Sequence, residues 1–581
     1  MELHGGDMVA KVLSAQGVKA VFCLCGGHIS PILVGCKRAG IHVLDARHEG
    51  TAVFAADAAS RITGVPGVAV VTAGPGVTNT VTAVKNARMA QSPIVLIGGA
   101  APTVLKGRGA LQDMDPGPLM ATVAKASLFV RRNCDVVPVL QNAFSIAGEG
   151  VPGPVFVEMP VDLLYPESLV RKWYAGATGA KAANNVGERL KSLYLRHHLD
   201  RMFSCSLDEM KTTASVATPP VPDANLVKKV AGLLERVHSP VMVLGSQSML
   251  SPERVGELVD AVDQLGMPVF LTGMARGLLG EDHQLQIRHH RKDALKHADL
   301  VILAGMPCDF RMDYGRVLGR KTRLVAANRS KHDLNLNRKP DVALHADPFL
   351  SIVALARETT VRDGNRWIDW RQSLKRADGQ REAEIDVLAG VSGHYVNPIR
   401  FFRKLDRFLT GETILVADGG DFVATADYTL SPKGPLQWLD PGVFGTLGVG
   451  AGFALGARQG RPEAEVWILY SDGSAGYSIA EMDTFVRHGL PVIAVVGNDA
   501  GWTQIARDQR EILGDDVATV LSRTDYHQVA QGFGAEGVVV KADQGIDAAL
   551  DKARAMAAAG KPVMINLWID PTDFRNGSIS M

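Results

Sequence analysis

Two aspartates, Asp472 and Asp499, each follow an apolar stretch of the kind that forms a buried strand, at residues 466–474 and 491–501. In an open parallel sheet the loops at the carboxyl ends of adjacent strands form a crevice, so these two loops can meet. Two side-chain oxygens and a backbone carbonyl leave a Mg²⁺ ion room for phosphate oxygens. Either loop alone is typical of an ordinary strand-to-helix turn, but together they predict a site for Mg²⁺ and a phosphate-bearing ligand.

A second group of candidate residues lies near the N-terminus. Glu49 follows a short strand and precedes a helix, and residues 74–79 form a glycine-rich turn that opens another helix. Desolvation between strand and helix favours the protonated form of Glu49, which can donate a hydrogen bond. His28, in a Gly-Gly-His loop, has an imidazole that titrates near neutrality and can accept a proton, but a histidine in such a loop is, on its own, more often not catalytic. Alone, Glu49 is more typical of a solvated carboxylate at a helix start.

The composition favours a small substrate. The chain has 581 residues, with 62 Lys and Arg against 61 Asp and Glu. Nucleic-acid and membrane-surface binders need a basic field, so we expect neither partner. The six cysteines show no CxxC pair and no zinc spacing, and we therefore predict reduced thiols, no disulfide and a cytoplasmic location. No apolar run reaches the ~18 residues of a membrane span, so we expect none.

The chain alternates short apolar strands with helical stretches, which predicts α/β domains with parallel sheets. At about 150 residues per domain, three or four units are expected. We divide the chain into an N-terminal domain (1–170), a connector (171–222), a central α/β domain (223–357), a linker (358–396) and a C-terminal domain (397–581).

The connector contains an amphipathic stretch from 189 to 203, for which packing on another domain or subunit is favoured over a membrane surface. Its apolar residues near one helical face are Leu190, Leu193, Leu195, Leu199 and Phe203. In the central domain Arg276, Arg311 and Arg329 follow strand ends, where a bound nucleotide and solvated loop charges fit equally well.

Together, the motifs resemble the acetolactate synthase-like superfamily of thiamine diphosphate (ThDP) enzymes. The shared features are Arg47-His48-Glu49, Gly74-Pro-Gly-Val-Thr-Asn79, Gly445-Thr-Leu-Gly448 and the segment from Asp472 to Asp499. The resemblance covers the whole chain and implies three parallel-sheet α/β domains: a pyrimidine-binding N-terminal domain, a central domain and a diphosphate-binding C-terminal domain. Ser471 stands where the family has glycine, and Asp499 where it has a second asparagine. Asn498 is therefore the alternative metal ligand.

The resemblance also implies roles for individual residues. Glu49 would activate the cofactor through its aminopyrimidine ring, the backbone of Gly445 would accept a hydrogen bond from the exocyclic amine, and Leu447 would bend the cofactor. The implied metal ligands are Asp472, Asp499 and Gly501. The implied cofactor contacts are Glu49, Pro75, Gly76, Asn79, Gly420, Asp421, Gly445, Leu447, Asp472, Gly473, Ser474, Asp499, Gly501, Trp502 and Thr503.

Further implications concern assembly and the central domain. In the family, Glu49 and the diphosphate site serve one cofactor from different subunits. A homodimer is therefore required, and a homotetramer is expected. The central domain would hold ADP, with FAD as the second choice.

Within the superfamily, four runs resemble the acetolactate synthase-like branch of 2-hydroxyacyl-CoA lyases. They are residues 108–112, 273–280, 497–504 and 572–580. This implies cleavage of a 2-hydroxyacyl-CoA to formyl-CoA and an aldehyde or ketone. His28 and Gln112 match the His and Gln positions of benzaldehyde lyase, and would transfer the proton and hold the intermediate. The expected substrate contacts are His28, Leu111, Gln112, Trp502, Gln504, Arg575 and Ser578.

Three alternative functions are compatible with the same motifs. The chain could be an acetolactate synthase-like carboligase or decarboxylase acting on free 2-keto acids, a flavin-using oxidase of the same fold, or a non-catalytic scaffold. The retention of Glu49 together with both halves of the metal site argues against the scaffold.

Overall fold

A computed structural model describes residues 2–177, 186–206, 210–359 and 366–572. These residues form two compact units. The first contains the described residues up to Ser60 and from Val65 to Ala217, and the second contains Arg61–Gly64 and the described residues from Thr218 onward.

The first unit is built on a six-stranded parallel sheet with the order β2-β1-β3-β4-β6-β5. Its strands β3, β4 and β6 are buried along their whole length, as expected where helices cover both faces of a parallel sheet. The strands are β1 (Ala20–Leu24), β2 (His42–Asp45), β3 (Gly67–Val71), β4 (Ile94–Ala100), β5 (Ala126–Phe129) and β6 (Val155–Pro160). The helices are α1 (Gly5–Ala15), α2 (Ser30–Arg38), α3 (Glu49–Thr63), α4 (Pro75–Thr78), α5 (Val81–Met89), α6 (Gly117–Val123), α7 (Val136–Gly148), α8 (Glu167–Ala177) and α9 (Val186–Met202).

The second unit begins with a five-stranded parallel sheet in the order β11-β10-β9-β7-β8. Helix α10 starts cleanly because the Asp223 side chain accepts hydrogen bonds from two backbone N–H groups of the first turn. The strands are β7 (Pro240–Leu244), β8 (Val269–Leu271), β9 (Leu300–Ala304), β10 (Arg323–Ala327) and β11 (Val342–Leu344). The helices are α10 (Ala224–Leu234), α11 (Val255–Leu265), α12 (Arg291–His297), α13 (Lys331–Leu334), α14 (Pro348–Glu358) and α15 (Ile368–Ala389).

A third parallel sheet, also in the second unit, has the order β13-β12-β14-β15-β17-β16. The strands are β12 (Thr413–Ala417), β13 (Trp438–Leu439), β14 (Glu465–Ser471), β15 (Ile493–Asn498), β16 (Glu536–Val540) and β17 (Val563–Trp568). The helices are α16 (Pro398–Phe408), α17 (Asp421–Thr429), α18 (Gly450–Gly460), α19 (Asp472–Ser478), α20 (Met482–Arg487), α21 (Thr503–Leu513), α22 (Tyr526–Gly532) and α23 (Ile546–Ala558). The prediction of three parallel-sheet α/β domains is confirmed.

Helix α9 buries only part of the apolar face expected for the connector. Leu199 is 5% exposed and packs in the core of the first unit, with Phe203 against it. Leu190 and Leu193 are 62% and 64% exposed, respectively. None of the helices in the described part of the chain is both long and apolar enough to cross a membrane.

The cysteines require a correction, because Cys134 and Cys205 form a disulfide. The expectation that all six thiols are reduced is therefore wrong for this pair, and the cytoplasmic location loses the support it drew from that expectation. The chain after α9 folds back onto the start of α7, where the Asn133 side chain donates to the Cys205 carbonyl at 2.6 Å. The two cysteines lie 71 residues apart in sequence, and no spacing rule pairs residues across such a fold-back.

The disulfide predicts the number of free thiols. Cys23, Cys25, Cys36 and Cys308 are free. Protein unfolded without reductant should therefore expose four titratable thiols per chain, and reductant should raise the count to all six cysteines. Cys308→Ser should remove one thiol, whereas Cys205→Ser should add one by freeing Cys134. An equal count with and without reductant would show that the pair is not oxidised.

Candidate active site

The first half of the candidate site lies at the carboxyl ends of β14 and β15, which are neighbours in the sheet and pair Ser471 with Gly497. Asp472 begins α19 and is 1% exposed. Its Oδ1 accepts a hydrogen bond from the backbone N–H of Gly473 at 2.8 Å, and its Oδ2 accepts one from Gly501 at 3.1 Å. The carboxylate thus joins the two loops.

Asp499 lies within electrostatic reach of Asp472. Burial raises the pKa of both carboxyl groups, and the charge of Asp499 adds to the rise in the pKa of Asp472. A hydrogen bond from the Thr503 side chain acts in the opposite direction on Asp499. A divalent cation would relieve this repulsion, because a bound ion is the largest local charge at such a site.

The donor set fits Mg²⁺. Within the described ranges, no three or more His, Cys, Asp or Glu side chains gather into one metal-binding group. Two carboxylates leave the remaining coordination to backbone oxygen, water and phosphate, which is the arrangement that Mg²⁺ usually adopts in proteins. The loop that carries Gly501 is held beside Asp472, so a backbone carbonyl is available there.

Asn498 is the alternative second ligand, and it is fully buried. Its Nδ2 donates to the Thr524 carbonyl at 2.9 Å and to Asn566 Oδ1 at 3.1 Å, while its Oδ1 has no hydrogen-bond partner among the described residues. Only Asp499 of the two contributes charge at Asp472. The added charge favours Asp499, and the choice between the two residues stays a prediction.

Glycines and a buried hydroxyl form a cradle beside these carboxylates. A Cβ atom on Gly420 would lie 2.2 Å from Ser471 Oγ, and one on Gly473 would lie 2.6 Å from the Trp502 ring. Ser471 Oγ is buried and has no partner among the described residues. A buried polar group without a partner costs about 1–3 kcal/mol, which a phosphate oxygen in the cradle would offset. The residues present thus fit a diphosphate group.

A glycine-rich loop lies between β13 and α18. Gly445 has φ +64°, and Leu447 Cδ2 lies 2.7 Å from where a Cβ of Gly419 would be. Asp418, at the end of β12, is fully buried; its Oδ1 accepts from Gly448 N–H at 2.7 Å and its Oδ2 from Gly450 N–H at 2.8 Å. Burial raises the pKa of Asp418 to about 8. Asp418 therefore fixes the loop that presents Gly445 and Leu447.

An ion pair connects α21 to the start of α17. Arg507 donates to Asp421 Oδ2 at 2.6 Å and also binds the Thr572 carbonyl. Gln504 is partly buried on the same helix as Arg507. Arg575 and Ser578, predicted to contact substrate, lie outside the described residues.

The second half of the candidate site lies in the first unit. Glu49 is 6% exposed at the start of α3, and its Oε2 accepts a hydrogen bond from Asn79 Nδ2 at 3.0 Å. A Cβ on Gly76 would lie 3.7 Å from Glu49 Oε1. Pro75 is exposed at the first turn of α4. The structure thus brings the acid and the glycine turn together.

His28 and Gln112 lie at the same edge of the sheet. His28 Nδ1 is 3.2 Å from Thr72 Oγ1, and burial lowers the pKa of His28. Gln112 has φ +61°, and its Cβ lies 2.9 Å from where a Cβ of Gly74 would be. Gln112 therefore packs directly on the glycine turn, whereas Leu111 is 82% exposed.

The three arginines considered for a nucleotide have acidic partners. Arg329, 8% exposed, is 2.7 Å from Asp347. Arg311 is 2.6 Å from Asp309. Arg276 pairs with Asp427, and its guanidinium lies 4.2 Å from the Trp438 ring centroid. These arginines stabilise the second unit.

Two residues were missed by the sequence analysis. Asp418 ends a buried strand directly before a glycine pair, which is the same signal that identified Asp472. Thr72 directly follows β3, ahead of the glycine turn, and only its side-chain contact with His28 distinguishes it.

The fold and both half-sites define a thiamine pyrophosphate enzyme, and the chain belongs to that family. Residues 3–119 match the thiamine pyrophosphate enzyme N-terminal TPP binding domain, 227–355 the central domain, and 418–567 the C-terminal TPP binding domain.

Among curated proteins, the chain is 48% identical to 2-hydroxyacyl-CoA lyase 2 of Danio rerio, covering 100% of this chain and 93% of the relative. It is 48% identical to 2-hydroxyacyl-CoA lyase 2 of Homo sapiens, covering 100% of this chain and 92% of the relative. Acetolactate synthase large subunit IlvG of Mycobacterium tuberculosis is 32% identical, over 98% of this chain and 96% of the relative. The resemblance drawn from the motifs is confirmed.

The metal-ligand assignment predicts opposite outcomes for two neighbouring substitutions. Asp499→Ala should weaken Mg²⁺-dependent ThDP binding at least about 10- to 100-fold, the loss that even outer-shell partners of a metal commonly cause. Asp499→Asn, which keeps an oxygen, should retain more affinity, and Asn498→Ala should keep most of it. Calorimetric titration of ThDP with and without Mg²⁺ measures this, and the reverse order would assign the ligand to Asn498.

Substitution of Asp418 should lower both the stability of the fold and the affinity for ThDP. Asp418→Ala leaves two buried N–H groups without acceptors, at about 1–3 kcal/mol each. The variant should unfold at lower urea concentration and bind ThDP more weakly, while Asp418→Asn should lie between it and the wild type. Unchanged ThDP affinity in a folded Asp418→Ala variant would contradict the role given to this residue.

Proposed function

We propose that the protein is a ThDP- and Mg²⁺-dependent carbon–carbon lyase that cleaves a 2-hydroxyacyl-CoA to formyl-CoA and an aldehyde or ketone, a reversible acyloin-type reaction. The observation that carries the proposal is the 48% identity, over the whole chain, to relatives named 2-hydroxyacyl-CoA lyase 2. The geometry supports the proposal, because a buried acid, a candidate base and two neighbouring carboxylates that would hold a divalent ion lie at the carboxyl ends of the strands.

When bound, ThDP would supply a nucleophilic carbon for the thioester carbonyl and an acceptor for the electron pair of the carbon–carbon bond that breaks. Glu49 is the acid that we propose for this activation. Its surroundings suit the task, since the carboxyl group is buried and one oxygen is held by Asn79. Asp472, Asp499 and the Gly501 carbonyl would hold Mg²⁺, while Gly473, Ser474 and the cradle residue Gly420 would face the diphosphate.

His28 is the proposed base for the 2-hydroxyl proton. Burial lowers its pKa, so the imidazole is neutral and able to accept a proton at neutral pH. Gln112 packs on the glycine turn beside Glu49 and offers both an amide donor and an acceptor to the substrate. Trp502 and Gln504 would contact substrate from the other half-site, together with Arg575 and Ser578.

We further propose a homodimer, and a homotetramer built from it, because family members complete each cofactor site from two subunits. A nucleotide in the central domain, ADP before FAD, stays a prediction, as does a cytoplasmic location.

A second candidate function is an acetolactate synthase-like reaction on free 2-keto acids. It is favoured by the 32% identity to an acetolactate synthase large subunit over nearly the whole chain. The two reactions share the cofactor and differ in substrate and product, so one assay separates them.

Incubation with Mg²⁺, ThDP and a 2-hydroxyacyl-CoA should release formyl-CoA, detected by mass spectrometry. Glu49→Gln should lower the rate at least about 100-fold, since acid–base groups commonly contribute 10²–10⁴-fold. ThDP titration of the same variant serves as the control that it is folded and still binds. Acetolactate from pyruvate with no formyl-CoA from any acyl chain length would replace the lyase by the synthase.

A further inference from the structure

We propose that Thr72 is a positioning residue for His28. Its hydroxyl accepts a hydrogen bond from Nδ1–H of His28, so that Nε2 is left as the atom that takes the substrate proton. This inference rests on the proposed function for the identity of that proton, but the contact between the two side chains is independent of any substrate.

The contact itself is a side-chain hydrogen bond. His28 Nδ1 and Thr72 Oγ1 are 3.2 Å apart, although the residues are separated by 44 positions in sequence. His28 lies in the loop after β1, and Thr72 directly follows β3, the strand that pairs with β1. Because the two strands are hydrogen-bonded neighbours, the distance between their ends is fixed by the sheet rather than by a mobile loop.

The surroundings hold Thr72 in place. A Cβ on Gly26 would lie 2.4 Å from Thr72 Cβ, and one on Gly76 would lie 2.8 Å from Thr72 Cγ2. Real Cβ atoms do not approach so closely, so both positions accept only glycine while Thr72 keeps this rotamer. A β-branched side chain also has few accessible rotamers. The Thr72 side chain is therefore held in one position beside its hydrogen-bond partner His28.

The start of the His28 side chain is closely packed as well. A Cβ on Gly99 would lie 2.7 Å from His28 Cβ. The close approach of Gly99 restricts the position of the His28 Cβ, and the hydrogen bond to Thr72 orients the ring. A general base must lie within hydrogen-bond reach of the proton it abstracts, so this restriction bears directly on the reaction.

The hydroxyl suits both protonation states of the imidazole. In the neutral base, Nδ1–H donates to Thr72 Oγ1 and the Nε2 lone pair is free. When the substrate 2-hydroxyl loses its proton, that proton moves to Nε2, and Nδ1–H continues to donate to the same oxygen. The bond becomes charge-assisted in the imidazolium, and such bonds are stronger than neutral ones. Thr72 would thus stabilise the product of the proton transfer.

Three other titratable groups lie in the neighbouring segments. Cys25 lies in the His28 loop, Glu49 lies beside Gly76, and Asp113 follows Gln112. Burial is the cause of the lowered pKa of His28, and none of these three groups contributes to it. The hydroxyl of Thr72 is the polar side-chain group within hydrogen-bond distance of the His28 ring.

The test compares Thr72→Val, which keeps the shape and removes the hydroxyl, with Thr72→Ser, which keeps the hydroxyl. In the lyase assay, Thr72→Val should lower kcat/KM about tenfold or more, and Thr72→Ser should restore most of it. Without its acceptor the imidazolium is less stable, so the pKa of His28 falls and the acid limb of the kcat/KM profile moves to lower pH. A purely structural role would lower the rate without moving that limb.

A second measurement does not depend on the substrate. In protein labelled with ¹⁵N-histidine, the His28 resonances, assigned with His28→Gln, report the tautomer and the pKa of the ring. The wild type and Thr72→Ser should show the Nδ1–H tautomer, and Thr72→Val should show a mixed tautomer with a lower pKa. If Thr72→Val does not fold, Thr72→Ala removes the hydroxyl without adding bulk.

The two measurements separate the two hypotheses. Identical His28 resonances in the wild type and Thr72→Val would overturn the role of Thr72, whatever the substrate is. If Thr72→Val changes the tautomer of His28 but the wild type releases no formyl-CoA, the positioning role of Thr72 is retained and the lyase reaction is rejected. ThDP affinity should be equal in all variants, and a loss confined to Thr72→Val would reassign Thr72 to the cofactor site.

Discussion

The carboxylate of Asp472 is withdrawn from water beside a second carboxylate, and much of the C-terminal domain is arranged around that fact. Burying one charge costs several kcal/mol, and a like charge nearby adds to the cost. Backbone N–H groups of Gly473 and Gly501 offset part of it. A bound cation would offset more of this cost. The two carboxylates come together because β14 and β15 are neighbours in the sheet and the hydrogen bond from Gly501 to Asp472 joins the loops that follow them.

The N-terminal unit also contains a buried acid, but its surroundings differ from those of Asp472 and Asp499. Glu49 is buried beside a glycine turn and receives a hydrogen bond from Asn79, so its environment is polar on one side and apolar on the other. Asp418 is a third buried acid. Its oxygens accept hydrogen bonds from a backbone loop rather than facing a ligand. All three acids follow a strand at its carboxyl end, where a parallel sheet directs its loops.

The architecture was predictable because buried parallel strands appear in sequence as apolar runs between helical stretches. The Asp472 and Glu49 half-sites were predictable because short polar motifs follow such runs. Contacts between distant side chains that lie outside such motifs were not predictable. The hydrogen bond between Thr72 and His28 depends on β1 and β3 being neighbours, and the disulfide depends on the chain after α9 folding back onto α7. The exposure of Leu190 and Leu193 likewise depends on where α9 meets the core, which helical periodicity alone does not determine.

The contact between Gly473 and Trp502 bears on both substrate scope and cofactor binding, two properties that an engineer would wish to change separately. The indole ring occupies the space that a side chain at position 473 would need, so it packs directly against the glycine of the diphosphate cradle. The same ring belongs to a residue that we propose contacts the substrate. Under that proposal, reducing Trp502 to widen the space for longer acyl groups would also remove the ring that packs against Gly473. Substrate scope and cofactor retention would then be coupled at this position, and broader specificity would require a compensating change at residue 473.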